Sequence, residues 1–148
     1  MTANRFTDSV FPDPFNPRFT SLSNGGFVVT WEDGQDNSGY GIFGQQFDPS
    51  GTKVGQEFQV NTYTTSDQRE SSVTGLANGD FVVTWRSTNQ DGDDGGIYGQ
   101  RFNSDGSTDG AEFRVNTTTV NSQIHPSVTA LPDHGFVITW TSISQPFA

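Results

Sequence analysis

The sequence has no cysteine, few basic residues and no long apolar run, and each absence excludes a class of site. Without cysteine there can be no disulfide, no thiolate metal site and no cysteine nucleophile. Seven Lys and Arg residues against 17 Asp and Glu residues give a net charge of -10, which repels nucleic acid and anionic membranes. The same charge suits cations such as calcium, and neutral sugars. No apolar segment could span a bilayer, so we predict neither a nucleic-acid partner nor membrane insertion.

What the sequence does contain is one stretch written three times. The copies are GGFVVTW, GDFVVTW and HGFVITW, and Phe27, Phe81 and Phe136 within them are 54 and then 55 residues apart. A period near 50 residues indicates a solenoid, a propeller or an array of repeats. We therefore expect a single domain over residues 1–148. Its predicted parts are a partial first repeat (1–31), a second repeat (32–85), a third repeat (86–140) and a tail (141–148).

Each repeat is predicted to form four short strands, here called a to d. Strand a is FVVTW, strand b is IFGQQF or IYGQRF, strand c is EFQVN or EFRVN, and strand d is the SVT segment before Leu76 or Leu131. Turn residues separate these runs, and no segment shows a sustained apolar period of 3.6. We predict an all-β fold with essentially no helix.

Strand a is apolar on both faces, which is typical of a strand covered on both sides. Together with four strands in about 54 residues, this favours β-propeller-like blades. The chain holds fewer than three blades, whereas closed propellers need at least about four. We expect an incomplete ring that other chains complete, an open stack, or a piece of a longer array. A sandwich of stacked hairpins is the alternative fold.

The loops between strands a and b are the predicted metal sites. Asp36 and Asn37 lie in the first loop, and Asp91, Asp93 and Asp94 lie in the second. Calcium prefers Asp and Asn oxygens at alternating positions around a glycine, a pattern that the second loop meets better than the first. Calcium is thus the expected cofactor. The alternative is a polar loop whose Asp and Asn side chains bind their own backbone.

Repeated aromatic and amide side chains are the predicted ligand-binding residues. A sugar site in each blade would use an aromatic ring for stacking and an amide to read hydroxyl groups. The candidates are Trp31, Trp85, Trp140, Gln45 and Gln100. The competing interpretation is structural, because every repeat has the same backbone groups to satisfy and large aromatic residues are usually buried.

The combined pattern of FVVTW, an Asp/Gly-rich loop, IYGQRF and EFxVNT resembles a repeat of large secreted bacterial surface proteins of the hemolysin-type calcium-binding or adhesin-like kind. The resemblance covers roughly residues 19–142. It implies an extracellular or cell-surface location and a role in attachment or assembly. The glycine-rich nonapeptide of such proteins is missing, so their calcium β-roll is not carried over. No apolar stretch follows Met1, and we expect no signal peptide in this chain.

Two functions follow as expectations. The first is a non-catalytic extracellular repeat module for surface attachment or self-assembly, stabilised by calcium, whose partners are further copies or neighbouring repeats. The second is a lectin-like propeller that binds one glycan per blade. The two a–b loops differ in sequence and length, which favours the first function because repeated sites need repeated side chains. We predict no enzyme, since no unique cluster of polar groups is visible.

Overall fold

The computed structural model describes residues 15–35 and 38–144, and these residues form an all-β fold, as the sequence predicts. Their single helical segment is a 3-10 turn at Pro132–His134, and no helix among them is long and apolar enough to span a membrane. Asp36 and Asn37 lie outside the described residues. The strands are β1 (Phe15–Ser21), β2 (Phe27–Asp33), β3 (Gly41–Phe47), β4 (Lys53–Gln59), β5 (Gln68–Gly75), β6 (Phe81–Thr88), β7 (Gly95–Phe102), β8 (Thr108–Arg114), β9 (Ser122–Ala130) and β10 (Phe136–Ile143).

The strands form three antiparallel sheets that repeat one pattern. Sheet 1 has the order β1-β2-β3-β4, sheet 2 has the order β5-β6-β7-β8, and sheet 3 pairs β9 with β10. The pairing register also repeats, since Phe27 opposes Phe47 and Phe81 opposes Phe102. Each four-stranded sheet uses the predicted strands in the order d, a, b, c, so a sheet begins inside a predicted repeat. The described strands form no closed barrel or propeller.

The glycine in the middle of strand b is required by the aromatic ring of strand c. Gly44 pairs with Phe58, and Gly99 pairs with Phe113. A Cβ atom on Gly44 would lie 2.8 Å from the Phe58 ring, and one on Gly99 would lie 2.7 Å from the Phe113 ring. Any other residue would therefore displace the ring. This contact explains why IxGQxF and EFx recur together in the sequence.

The sheets stack face to face, and each sheet presents two different apolar faces. The L face carries Leu22 and Val28 in sheet 1 and Leu76 and Val82 in sheet 2. The F face carries Phe81, Val83, Trp85 and Phe102 in sheet 2 and Phe136 and Ile138 in sheet 3. One buried cluster joins the L face of sheet 1 to the F face of sheet 2, and another joins the L face of sheet 2 to the F face of sheet 3. Strand β6 is thus covered on both sides, as its sequence predicts.

The first strands of neighbouring sheets approach closely and exchange polar contacts. A Cβ atom on Gly75 of β5 would lie 2.4 Å from the carbonyl oxygen of Ser21 of β1. The Gly75 amide donates a hydrogen bond to Thr20 Oγ1 at 3.2 Å. At the next interface the Val128 amide donates to Ser72 Oγ at 3.1 Å. A hydroxyl of one sheet thereby binds an amide of the following sheet, which fixes their offset.

Candidate functional site

The repeated glutamines hold a bulge inside each sheet. Gln45 and Gln100 are both 1% exposed. The side-chain Nε2 of Gln45 donates to the carbonyl oxygen of Val54 at 3.1 Å, and the side-chain Nε2 of Gln100 donates to that of Gly110 at 3.1 Å. These carbonyls lie where the pairing with strand c shifts register. Both side-chain amides are enclosed and bind the backbone, which favours the structural interpretation, and the assignment of Gln45 and Gln100 to a glycan site stays a prediction.

A second repeated pair of amide side chains locks the connection between strands c and d. Asn61 Oδ1 accepts from the Ile42 amide at 2.7 Å, and its Nδ2 donates to Gln68 Oε1 at 3.1 Å. Asn116 and Gln123 repeat the side-chain pair at 3.0 Å. All four side chains are buried. The hydrogen bonds support the structural interpretation for this pair, since the same buried backbone amide of strand b recurs in both four-stranded sheets and needs the same partner.

The three tryptophans occupy equivalent positions with different surroundings. Trp31 and Trp85 are 1% and 0% exposed, so neither offers a ring face to a sugar. Each ring is enclosed and lies opposite an aromatic residue of strand b, Phe43 or Tyr98, which favours the structural interpretation, and a role of Trp31 and Trp85 in glycan binding stays a prediction. Trp140 is 39% exposed, because no strand of the described chain pairs with that side of β10.

The second a–b loop directs its carboxylates at its own backbone and neighbours. Asp93 accepts from the Asp94 amide at 2.8 Å and from the Asn121 amide at 2.9 Å. Asp91 accepts from Asn116 Nδ2 at 3.2 Å, and Asp94 lies 3.6 Å from an Arg86 nitrogen. Within residues 15–35 and 38–144 no three acidic, histidine or cysteine side chains gather around one point. Calcium at Asp91, Asp93 and Asp94 stays a prediction.

The Asp91 carboxylate of this loop affects Tyr98 on the neighbouring strand β7. Burial, and after it the nearby Asp91 carboxylate, raises the pKa of Tyr98 to about 12. Asp91 also occupies the space above Gly96, where a Cβ atom would lie 2.5 Å from its carboxylate oxygen. The loop therefore packs against strand b, and Asp91 has structural contacts with Gly96 and Asn116.

Carboxylates bind a series of strained backbone positions that sequence patterns do not reveal. Asn16, Glu70 and His125 are one repeat apart, and all three have left-handed backbone angles with φ of 49°, 59° and 54°. Glu32 Oε1 accepts from the Glu70 amide at 2.9 Å, and Glu70 Oε2 accepts from the His125 amide at 2.7 Å. A left-handed non-glycine residue costs on the order of 1–3 kcal/mol, which a charge-assisted hydrogen bond offsets. Each carboxylate therefore secures the first strand of the next sheet.

The two ends of the stack expose positions that are buried between the sheets. On the L face, Leu131 is 47% exposed, whereas the equivalent Leu76 is 2% exposed. Val137 is 45% exposed, whereas the equivalent Val82 is fully buried. At the opposite end, on the F face of sheet 1, Phe19 is 77% exposed. Among residues 15–35 and 38–144, the end faces thus keep the apolar residues of an interface without a second sheet that covers them.

The open F face of sheet 1 forms a groove of about 730 Å³. Its walls include Phe19, Phe27, Val29 and the backbone of Gly25 and Gly26. Sequence reasoning did not identify these residues because it followed the spacing of the repeats, and the end residues share that spacing with buried equivalents. Only the position of a sheet in the stack decides whether its face is covered.

Comparison with protein families, with curated proteins and with solved structures yields no match for this chain. The arguments for its function therefore come from the surfaces described above.

Proposed function

We propose that this chain is a non-catalytic, extracellular or cell-surface module that acts through its sheet faces, in self-assembly or in surface attachment. Its sheets are the blades of an incomplete propeller-like arrangement. The observation that supports this most directly is the exposure of Leu131, Val137 and Phe19, whose repeat equivalents are buried or half-buried between sheets. The chain builds the same apolar interface twice internally and leaves half of it open at each end.

Energetics favour covering such ends. Burying apolar surface stabilises by roughly 25 cal/mol per Å², and arrays of stacked repeats usually need polar outer faces at their ends for solubility. Here the end faces present Phe, Val and Leu side chains, and a groove opens on one of them. Contiguous apolar patches of this kind mark interaction sites on soluble proteins. The repeated Gln and Asn side chains, by contrast, form hydrogen bonds inside the sheets.

The native mass of the full chain tests this proposal. Light scattering across a protein concentration series should give a mass above the 16.1 kDa of one chain. A mass of one chain at every concentration would contradict self-assembly. The same series with calcium and then with a chelator tests the calcium prediction, since a calcium-stabilised assembly should dissociate when the metal is removed. An unchanged mass on chelation would exclude calcium from the assembly.

Glycan binding is the second candidate function, and the exposed ring of Trp140 is the observation that favours it. Aromatic rings with one open face stack on sugars, and Trp140 is 39% exposed. Trp31 and Trp85 are enclosed, so Trp140 is the tryptophan that this function would use. A glycan screen with the Trp140→Ala variant beside the unmodified chain tests this function. Binding that survives the substitution would rule out Trp140 as the stacking platform.

A further inference from the structure

We infer that the partner of the open end faces is a second copy of this chain, whose sheet 3 docks its L face onto the F face of sheet 1. This inference rests on the proposed function and specifies its partner. It follows from the repeat, because each internal interface joins an L face to an F face. In the part of the chain that the structure describes, the two ends of the stack are one open L face and one open F face, so each end matches the other.

The open L face of sheet 3 carries two of the side chains that fill the internal interfaces. Leu131 corresponds to Leu76, which packs in the cluster between sheets 2 and 3, and Val137 corresponds to Val82 of the same cluster. Residue type is unchanged at both positions. A side chain that already fills the internal contact therefore fits the same contact with another copy.

The open F face of sheet 1 is formed in advance. Phe27 and Phe47 stack with ring centroids 4.8 Å apart and an angle of 11° between planes. The equivalent pair in sheet 2, Phe81 and Phe102, stacks at 4.9 Å and 9° while buried against sheet 1. Since the open pair already has the geometry of the covered pair, docking needs no rearrangement of these rings. The groove beside them supplies the space that a neighbouring sheet would occupy.

Polar contacts extend the match to the first strands. Between sheets 2 and 3, Ser72 Oγ accepts from the Val128 amide. One repeat along, Ser127 takes the place of Ser72, and in sheet 1 Phe19 takes the place of Val128. Ser127 is exposed on the open end. A docked copy would let the Ser127 hydroxyl accept from the Phe19 amide, so the hydroxyl of sheet 3 has a defined acceptor role.

The contact is heterologous, because the two docking surfaces are different. An interface of this type forms a ring when the rotation between copies closes and an open chain of copies when it does not. A two-fold dimer, in which one face binds itself, would use a different contact from the one inferred here. This difference gives the inference a test that mass alone does not provide.

The test uses one charged substitution on each end and a matched control elsewhere. Phe19→Asp alters only the F-face end, and Val137→Asp alters only the L-face end; both side chains are exposed, so both variants should fold. Val54→Asp is the control, since Val54 is 42% exposed on β4, away from both end faces. Burying an aspartate in the interface should weaken association at least about 30-fold, the effect of losing a hot-spot side chain. The control should assemble as the unmodified chain does.

Mixing the two end variants separates the possible contacts. Alone, Phe19→Asp and Val137→Asp should each be monomeric, because each lacks one half of the interface. Mixed in equal amounts, they should form a one-to-one dimer that grows no further, since one variant keeps the L face and the other keeps the F face. An assembly that both variants leave unchanged would overturn this inference while sparing the proposed function. A monomeric unmodified chain would overturn both this inference and self-assembly, and would leave surface attachment as the proposed function.

Discussion

Leu76 and Leu131 are the same residue at the same repeat position, and replacing each with alanine should have very different effects. Leu76 is 2% exposed between sheets 2 and 3, and Leu131 is 47% exposed at the end of the stack. Leu-to-Ala changes in a core cost about 2–5 kcal/mol, because they remove buried methylene groups and leave a cavity. At Leu131 about half of the side chain is already exposed in the folded chain, so its truncation removes less buried surface and leaves no enclosed cavity. The expected loss there is about 1 kcal/mol or less.

Urea unfolding of the two variants measures this difference at low protein concentration, where self-association is weakest. Leu76→Ala should lower the unfolding free energy by at least about 2 kcal/mol, and in a chain of this size each kcal/mol lowers Tm by about 2–4 °C. At high concentration the Leu131→Ala penalty should grow, because docking of a second copy buries that position. Equal losses at both positions in the dilute chain would refute the reasoning, since the end of the stack would then be as covered as its interior.

Three further changes test the interior of the sheets and their turns. Gly99→Ala should cost about 1–3 kcal/mol in urea unfolding, because the added Cβ atom meets an aromatic ring at 2.7 Å; unchanged stability would show that the ring moves freely. Glu32→Ala should cost about 1–3 kcal/mol, because the part-buried Glu70 backbone amide loses its acceptor; Glu32→Gln keeps an acceptor oxygen there and should lose less. Hydrogen bonds from a serine hydroxyl, first among their causes, lower the pKa of Asp48 and Asp105 from 3.8. Their contribution to stability is therefore present above pH 3.8 and lost as the pH falls through the lower folded-state value. The variants Asp48→Asn and Asp105→Asn remove these carboxylates. If the unfolding free energy of the unmodified chain exceeded that of the variants by the same amount down to low pH, this reasoning would be contradicted.

The sequence was sufficient to predict the all-β class, the period and the double-sided burial of strand a, because these follow from local alternation and spacing. It did not fix the boundaries of the structural unit. A repeat can be cut at any point without changing its period, and hydrogen bonding decides that the sheet begins at β1, β5 or β9. The predicted cuts after Trp31 and Trp85 fall in the middle of sheets.

The candidate site was harder to predict because burial is a property of the neighbour and not of the residue. Trp31 and Trp140 have the same sequence context, yet one is enclosed and the other is open. The bound amides at Glu70 and His125 were also hidden, since the left-handed position carries a different residue in each repeat. The three positions share a backbone angle but no residue type, so the sequence does not reveal them.

The sheets in the described chain are linked by side-chain contacts and close packing, and no strand of one sheet pairs with a strand of another. The molecule therefore behaves as a short one-dimensional lattice, in which cooperativity passes only between nearest neighbours. Sheet 2 is the one with a neighbour on each side and should be the last to melt, while sheet 3, with two strands, should open first in hydrogen exchange. Each copy added to an end would convert a terminal unit into an internal one, so the array would gain protection as it lengthens.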